Sequence, residues 1–172
     1  MWMNRVFVVC AIGGVGSVLF VLFGHIGSIF SYIPSVSLVA LDVLSLLFYL
    51  CYVSGFVALG RKYSLPIMMY ASIVWITATI VSSAYVYATP AITDTTFFDL
   101  AVVAAMAVSI LVVGWQMLAL KKRFGDYATW CGLLMLLSAT GVPYLLGVTF
   151  GVGVDTALYV VAISIFVRAV QR

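Results

Sequence analysis

Few side chains in this 172-residue chain could do chemistry, and most of them stand alone. The single histidine, His25, and one of five aspartates, Asp42, lie on apolar runs either side of Ile33-Pro34-Ser35. Their midpoint falls between Ile33 and Pro34, so a hairpin turning there sets them at similar depth. Asp42 would then sit roughly 9 Å along a helix from its start, at 1.5 Å per residue. Ionisable groups at such depth are costly and point to function. A His25–Asp42 pair has two readings. It is a proton-sensitive relay or switch, because imidazole titrates near neutrality, or it is a polar clamp on the hairpin. Thr77, Thr79, Ser82 and Ser83 form a second feature, a polar stripe that could line a cavity. Pro143 is a third: inside an apolar run its ring removes a backbone hydrogen bond and kinks a helix.

The remaining acids have simpler expected roles. Thr96-Phe97-Phe98-Asp99 fits a capping box. Asp126 and Asp155 stand where helix caps are expected, and Asp94 belongs to a loop. Cys10, Cys51 and Cys131 lack CxxC or metal-type spacing and read as small buried hydrophobes. One histidine cannot supply two axial imidazoles to a haem. There is no HExxH, GxSxG or phosphate-binding glycine loop. The expectation is a non-enzyme with no catalytic residues, no cofactor and no metal site.

The elements that must position these groups follow from composition. The chain is 66% hydrophobic and 8% charged, with a mean hydropathy of +1.27. Soluble domains carry about 25% charged residues, so the chain reads as an integral membrane protein. A helix needs about 20 apolar residues to cross a bilayer. Six runs qualify, at about 6–30, 36–59, 66–88, 97–120, 127–147 and 154–170. The run after Met1-Trp2-Met3-Asn4-Arg5 is too long for a signal peptide and counts as the first span. Gly60 is the expected stop of the second, with Ser64 as cap and Pro66 in the first turn of the third. Gly151-Val152-Gly153 is the expected turn before a short sixth.

Charge sets the orientation. Six crossings place all eight Lys and Arg on one side: Arg5, Arg61, Lys62, Lys121, Lys122, Arg123, Arg168 and Arg172. The positive-inside rule makes that side cytoplasmic. The net charge of +3 is thus topological and says nothing of nucleic acid. Trp2, Tyr63, Trp115, Tyr127 and Trp130 fall near the same interface, whereas Trp75, in mid-span, should face a neighbouring helix. An Asp near the start and a basic residue near the end of each even-numbered span hint at three repeated hairpins.

Lipid gives helices no hydrophobic reason to associate, so small residues mark contacts. Gly13 with Ser17, Ser54 with Ala58, and Ala78 with Ser82 are such pairs. Ala101, Ala105 and Ser109 make the fourth span the expected buried centre, and the sixth is expected to meet lipid on one face. The reading is an all-α polytopic membrane protein: one domain, 1–172, of six transmembrane helices in three hairpins, with both termini cytoplasmic, in the cell membrane. In size and layout it resembles the small substrate-capture subunits of vitamin importers and small accessory subunits of respiratory complexes, a resemblance of layout alone. The expected function is a non-catalytic accessory or scaffolding subunit of a larger membrane complex. Its partners would be lipid, other membrane subunits or further copies. The alternative is a small transporter, channel or substrate-binding subunit for a small molecule or proton.

Overall fold

The computed structural model describes residues 2–25, 35–88 and 97–171, with the side chains at 23–25, 35–39 and 144 outside that description. Those residues form eight helices and no strand. They are α1 (Trp2–His25), α2 (Ser35–Lys62), α3 (Pro66–Ala88), α4 (Phe97–Ala119), α5 (Lys121–Phe124), α6 (Asp126–Ala139), α7 (Val142–Leu145) and α8 (Val148–Gln171). Five of them, α1, α2, α3, α4 and α8, are long and apolar enough to cross a membrane. The expected connections near Pro34 and from Thr89 to Thr96, with Asp94 and the capping-box Thr96, lie outside the described residues.

The long helices and α6 pack as a closed ring in the order α1, α2, α3, α4, α6, α8, with α8 returning against α1. Neighbours run antiparallel. Lys62 at the end of α2 donates to the Ala169 carbonyl in the last turn of α8, at 2.6 Å. Its ammonium also lies 5.4 Å from the Phe7 ring near the start of α1. Arg168 covers the ring of Tyr127 at the start of α6 at 3.9 Å, and Arg123 lies 5.0 Å from the Tyr63 ring. The basic segments therefore meet at one end of the bundle, with Lys62, Arg123 and Arg168 set over aromatic faces or a helix C-terminus, where positive charge is favoured.

Glycine sets how closely the ring closes. A methyl group at Gly132 would meet the Gly114 carbonyl oxygen at 2.7 Å, so α4 and α6 nearly touch. At Gly60 a methyl group would meet the Met69 amide nitrogen at 2.8 Å. Gly60 is thus a contact between α2 and α3 rather than a stop. The helix runs on to Lys62, and Ser64 (φ 56°) makes the turn in the left-handed region instead of capping α3. Pro66 opens α3, where its missing N–H costs nothing.

Two expectations about the C-terminal third are corrected. The kink at Pro143 is a full break placed upstream of it. Helix α6 stops at Ala139, the residue whose carbonyl the Pro143 ring would strike, and Gly141 turns left-handed at φ 67°. Helix α6 has only 14 residues, about 21 Å. Gly151-Val152-Gly153 is not a turn but part of α8, which starts at Val148 and has 24 residues. The chain turns instead at Gly147, φ 141°.

The centre of the bundle also differs. Helix α4 is the least buried of the five long helices, with 17% of its apolar stretch buried against 39% in α2 and α8. Leu158, Ala162, Ile165, Phe166 and Ala169 give α8 a continuous buried stripe at three- and four-residue spacing. Alanine content misled here, because burial follows how much neighbouring helix faces a residue. The short α6 covers only part of α4.

Candidate functional site

The ring is filled differently at its two ends. Toward the basic end, Tyr52, Phe56 and Phe166 are buried to within 1% and stack edge to face. Their centroids lie 5.4 Å apart for Tyr52–Phe56 and 5.3 Å for Phe56–Phe166. Phe7 adds a parallel ring 6.3 Å from Phe166. Gly55 admits this layer, since a methyl group there would lie 2.4 Å from the Phe166 ring. Trp75 is buried against it, donating its indole N–H to the Tyr49 hydroxyl at 2.9 Å. The core at this end is an aromatic plug.

Toward the other end the ring opens into a cleft of about 420 Å³. Its walls come from four helices: Ser17 and Val21 of α1; Asp42, Ser45, Leu46 and Tyr49 of α2; Ser82, Ser83, Val86 and Tyr87 of α3; and Tyr159 of α8. Tyr159 packs at 4.7 Å on Tyr52, the uppermost ring of the plug. Tyr49 lies 6.3 Å from the same ring. The two tyrosines are therefore the floor of the cleft. On α2 the polar wall repeats at Asp42, Ser45 and Tyr49, steps of three and four that share a helix face.

Asp42 is exposed within the cleft and accepts a hydrogen bond from the Tyr87 hydroxyl at 3.3 Å. Among the described residues of the lining it is the only charged side chain. His25 is the last residue of α1; its side chain, and with it the expected His25–Asp42 pair, lies outside the described residues. The expected polar stripe divides. Ser82 and Ser83 line the cleft. Thr79 is buried and donates to the Trp75 carbonyl at 2.9 Å. Thr77 is exposed and donates to the Ile73 carbonyl at 3.0 Å. Steps of one and two residues place these groups on different faces of α3. Pro143 is buried in α7, away from the cleft lining.

One acid stands where sequence reasoning did not place it. Because α8 starts at Val148, Asp155 is two turns inside the helix rather than at its cap. It accepts a hydrogen bond from Ser138 of α6 at 2.8 Å. Tyr159 lies one turn further on the same face of α8. The Tyr52 hydroxyl is buried with no hydrogen-bond partner among the described residues. Asp126 does open a helix, but Gly125 occupies the cap position and no side chain caps it.

No family model, no curated protein and no solved structure matches this chain.

Proposed function

We propose that the chain is a small-molecule-binding membrane protein, a transporter or substrate-capture subunit, with its ligand held in the cleft between α1, α2, α3 and α8. One observation carries the reading: a cleft of about 420 Å³, with Asp42 and four serines set in apolar and aromatic walls, enters a bundle whose core toward the basic end is filled with rings. Ligand sites span about 300–1,000 Å³ and combine apolar walls with a few polar groups. An acid carried into a helical bundle at this depth is costly and points to function.

In this reading α6 and α7 together make the sixth crossing, completing three hairpins. The start of α6 lies beside the end of α8, and its own end lies beside Asp155. The basic end is cytoplasmic by the positive-inside rule, so both termini face the cytoplasm and the cleft opens on the opposite side of the cell membrane. No catalytic role is proposed.

Accessibility labelling tests this in a background without Cys10, Cys51 and Cys131. Ser45→Cys and Ser83→Cys should react with a membrane-impermeant thiol reagent applied from the outside, and Lys62→Cys only from the inside. Ser72, fully buried in α3, supplies a Ser72→Cys control that stays unlabelled. Failure of both cleft positions to react from either side rules the reading out.

A specific observation also favours the accessory-subunit reading. The half of α4 beyond the reach of α6 is uncovered, with Leu100, Ala101, Val103, Ala104 and Val108 exposed. Small residues there permit close approach by another membrane helix, from a partner subunit or a second copy. Native mass spectrometry after gentle extraction decides it: a stable monomer with no co-purified chain removes this reading and leaves the cleft reading intact.

A further inference from the structure

We infer that the ligand of this cleft is a small organic cation, an ammonium compound whose charge sits beside Asp42. The inference rests on the ligand-binding reading above and names the chemical class. It begins with the distribution of charge. Every described Lys and Arg lies at the basic end, from Arg5 in the first turns of α1 to Arg168 in the last turns of α8. Of the described acids, Asp42, Asp99 and Asp155 lie in the opposite half, within the first third of α2, α4 and α8, while Asp126 lies among the basic residues at the start of α6. The protein's field therefore draws cations toward the mouth of the cleft and repels anions.

Inside, the geometry selects further. Asp42 has no charged partner among the described lining residues, only the Tyr87 hydroxyl, and a carboxylate within a helical bundle favours a partner of opposite charge. Tyr49, Tyr87 and Tyr159 supply aromatic surface, which attracts ammonium groups more strongly once they are desolvated. The serine hydroxyls of the walls offer acceptor oxygens for N–H donors. Tyr87 also lies in the last turn of α3, where the negative end of the helix dipole meets the cleft. A bare metal ion does not fit this pattern. Calcium takes six to eight oxygen ligands at 2.3–2.6 Å, whereas the described residues of this cleft offer one carboxylate around a volume of about 420 Å³, the size of a molecule.

Three probes of one shape test the inference: phenethylammonium, phenethyl alcohol and phenylacetate, titrated against the full chain in lipid nanodiscs with calorimetry and thermal unfolding. The cation should bind and raise the unfolding midpoint; the alcohol should bind at least tenfold more weakly, and the anion not at all. Asp42→Asn should weaken the cation about tenfold or more, as for a partly desolvated ion pair, with the ligand-free unfolding midpoint unchanged. Asp42→Glu should restore most of the affinity. Ser83→Trp, which fills the cleft, should abolish binding.

Two results overturn the cation assignment alone. One is preference for the alcohol or the anion, lost in Ser83→Trp. The other is cation binding that Asp42→Asn leaves unchanged. Both keep the cleft as a binding site. If no probe binds at millimolar concentration and the cleft cysteines also stay unlabelled, both readings fall together. If no probe binds while those cysteines label, the cation assignment falls and the wet cleft stands.

Discussion

Two glycines inside long helices, Gly13 buried and Gly153 exposed, should answer the same substitution with opposite signs. A methyl group on Gly13 would lie 2.6 Å from Cys51 Cβ, 2.7 Å from the Phe48 carbonyl oxygen and 2.8 Å from the Tyr52 amide nitrogen. Two of these are backbone atoms of α2 and cannot swing aside. Ordinary carbon contacts lie at about 3.5–4.0 Å, so α1 must retreat by roughly 1 Å, and a gap of 0.5–1 Å forfeits a quarter to a half of each contact's attraction. With some 40 atom pairs at about 0.1–0.2 kcal/mol each, the loss is about 2 kcal/mol. The better helix propensity of Ala returns up to about 1 kcal/mol, and transfer from lipid returns almost nothing. Gly13→Ala should therefore destabilise by about 1–2 kcal/mol. At Gly153 nothing lies within 4 Å of the added methyl, so Gly153→Ala should stabilise by up to about 1 kcal/mol. Reversible unfolding in mixed micelles, read as the denaturant midpoint, compares the two. Equal shifts, or a neutral Gly13→Ala, would refute the close approach of α1 to α2. Ser17, one turn beyond Gly13, lines the cleft, so the same retreat should also weaken ligand binding.

Three further substitutions probe the plug and its surroundings. Phe166→Ala removes a fully buried ring. With little transfer penalty in lipid, the cavity term over roughly 100 Å³ predicts a loss of about 2 kcal/mol in the same unfolding assay. Tyr52→Phe deletes a buried hydroxyl that lacks a described partner; stability should hold or rise by about 1 kcal/mol, and a clear fall would place a bound water or ligand atom at that oxygen. Ser138→Ala removes the donor at 2.8 Å from Asp155 and should cost about 1–3 kcal/mol. Asp155→Asn keeps an acceptor there and should cost less, an order that thermal unfolding of the two variants checks directly.

How much of this was legible in the sequence depends on which physical signal each feature carries. The four spans from α1 to α4 follow from apolar length and punctuation, because lipid forces helix wherever a run is long enough. The break in α6 was signalled by Pro143 but displaced, since the steric conflict acts on Ala139, four residues upstream, and Gly141 accepts the left-handed turn more cheaply than Pro143 distorts the helix. Asp155 was misplaced by reading Gly151 and Gly153 as a turn; helix persists through single glycines that cost about 1 kcal/mol each. The cleft was half visible. Asp42, Ser45 and Tyr49 share a face of α2 by spacing alone, a pattern that could have been found. That Ser17 and Tyr159 meet them depends on α8 closing the ring against α1, which no local pattern encodes.

The uneven length of the helices explains why the bundle is tight at one end and open at the other. Helix α6 stops after 14 residues, and its paired contact with α4 at Gly114 and Gly132 lies toward the basic end of α4. Beyond Ala139 the chain leaves α4 for α8, and the face of α4 that α6 covered lower down is exposed. The helices at the basic end instead face a complete ring of neighbours and close on a core of Phe7, Tyr52, Phe56 and Phe166. Lys62 ties that end together from α2 to the last turn of α8. Motion that admits a ligand should therefore be concentrated in the half that holds Asp42, with the aromatic layer as the fixed base against which it moves. A transporter built this way would need the Tyr49 and Tyr159 floor to part, which would uncover the buried Tyr52 hydroxyl, a group with no hydrogen-bond partner among the described residues.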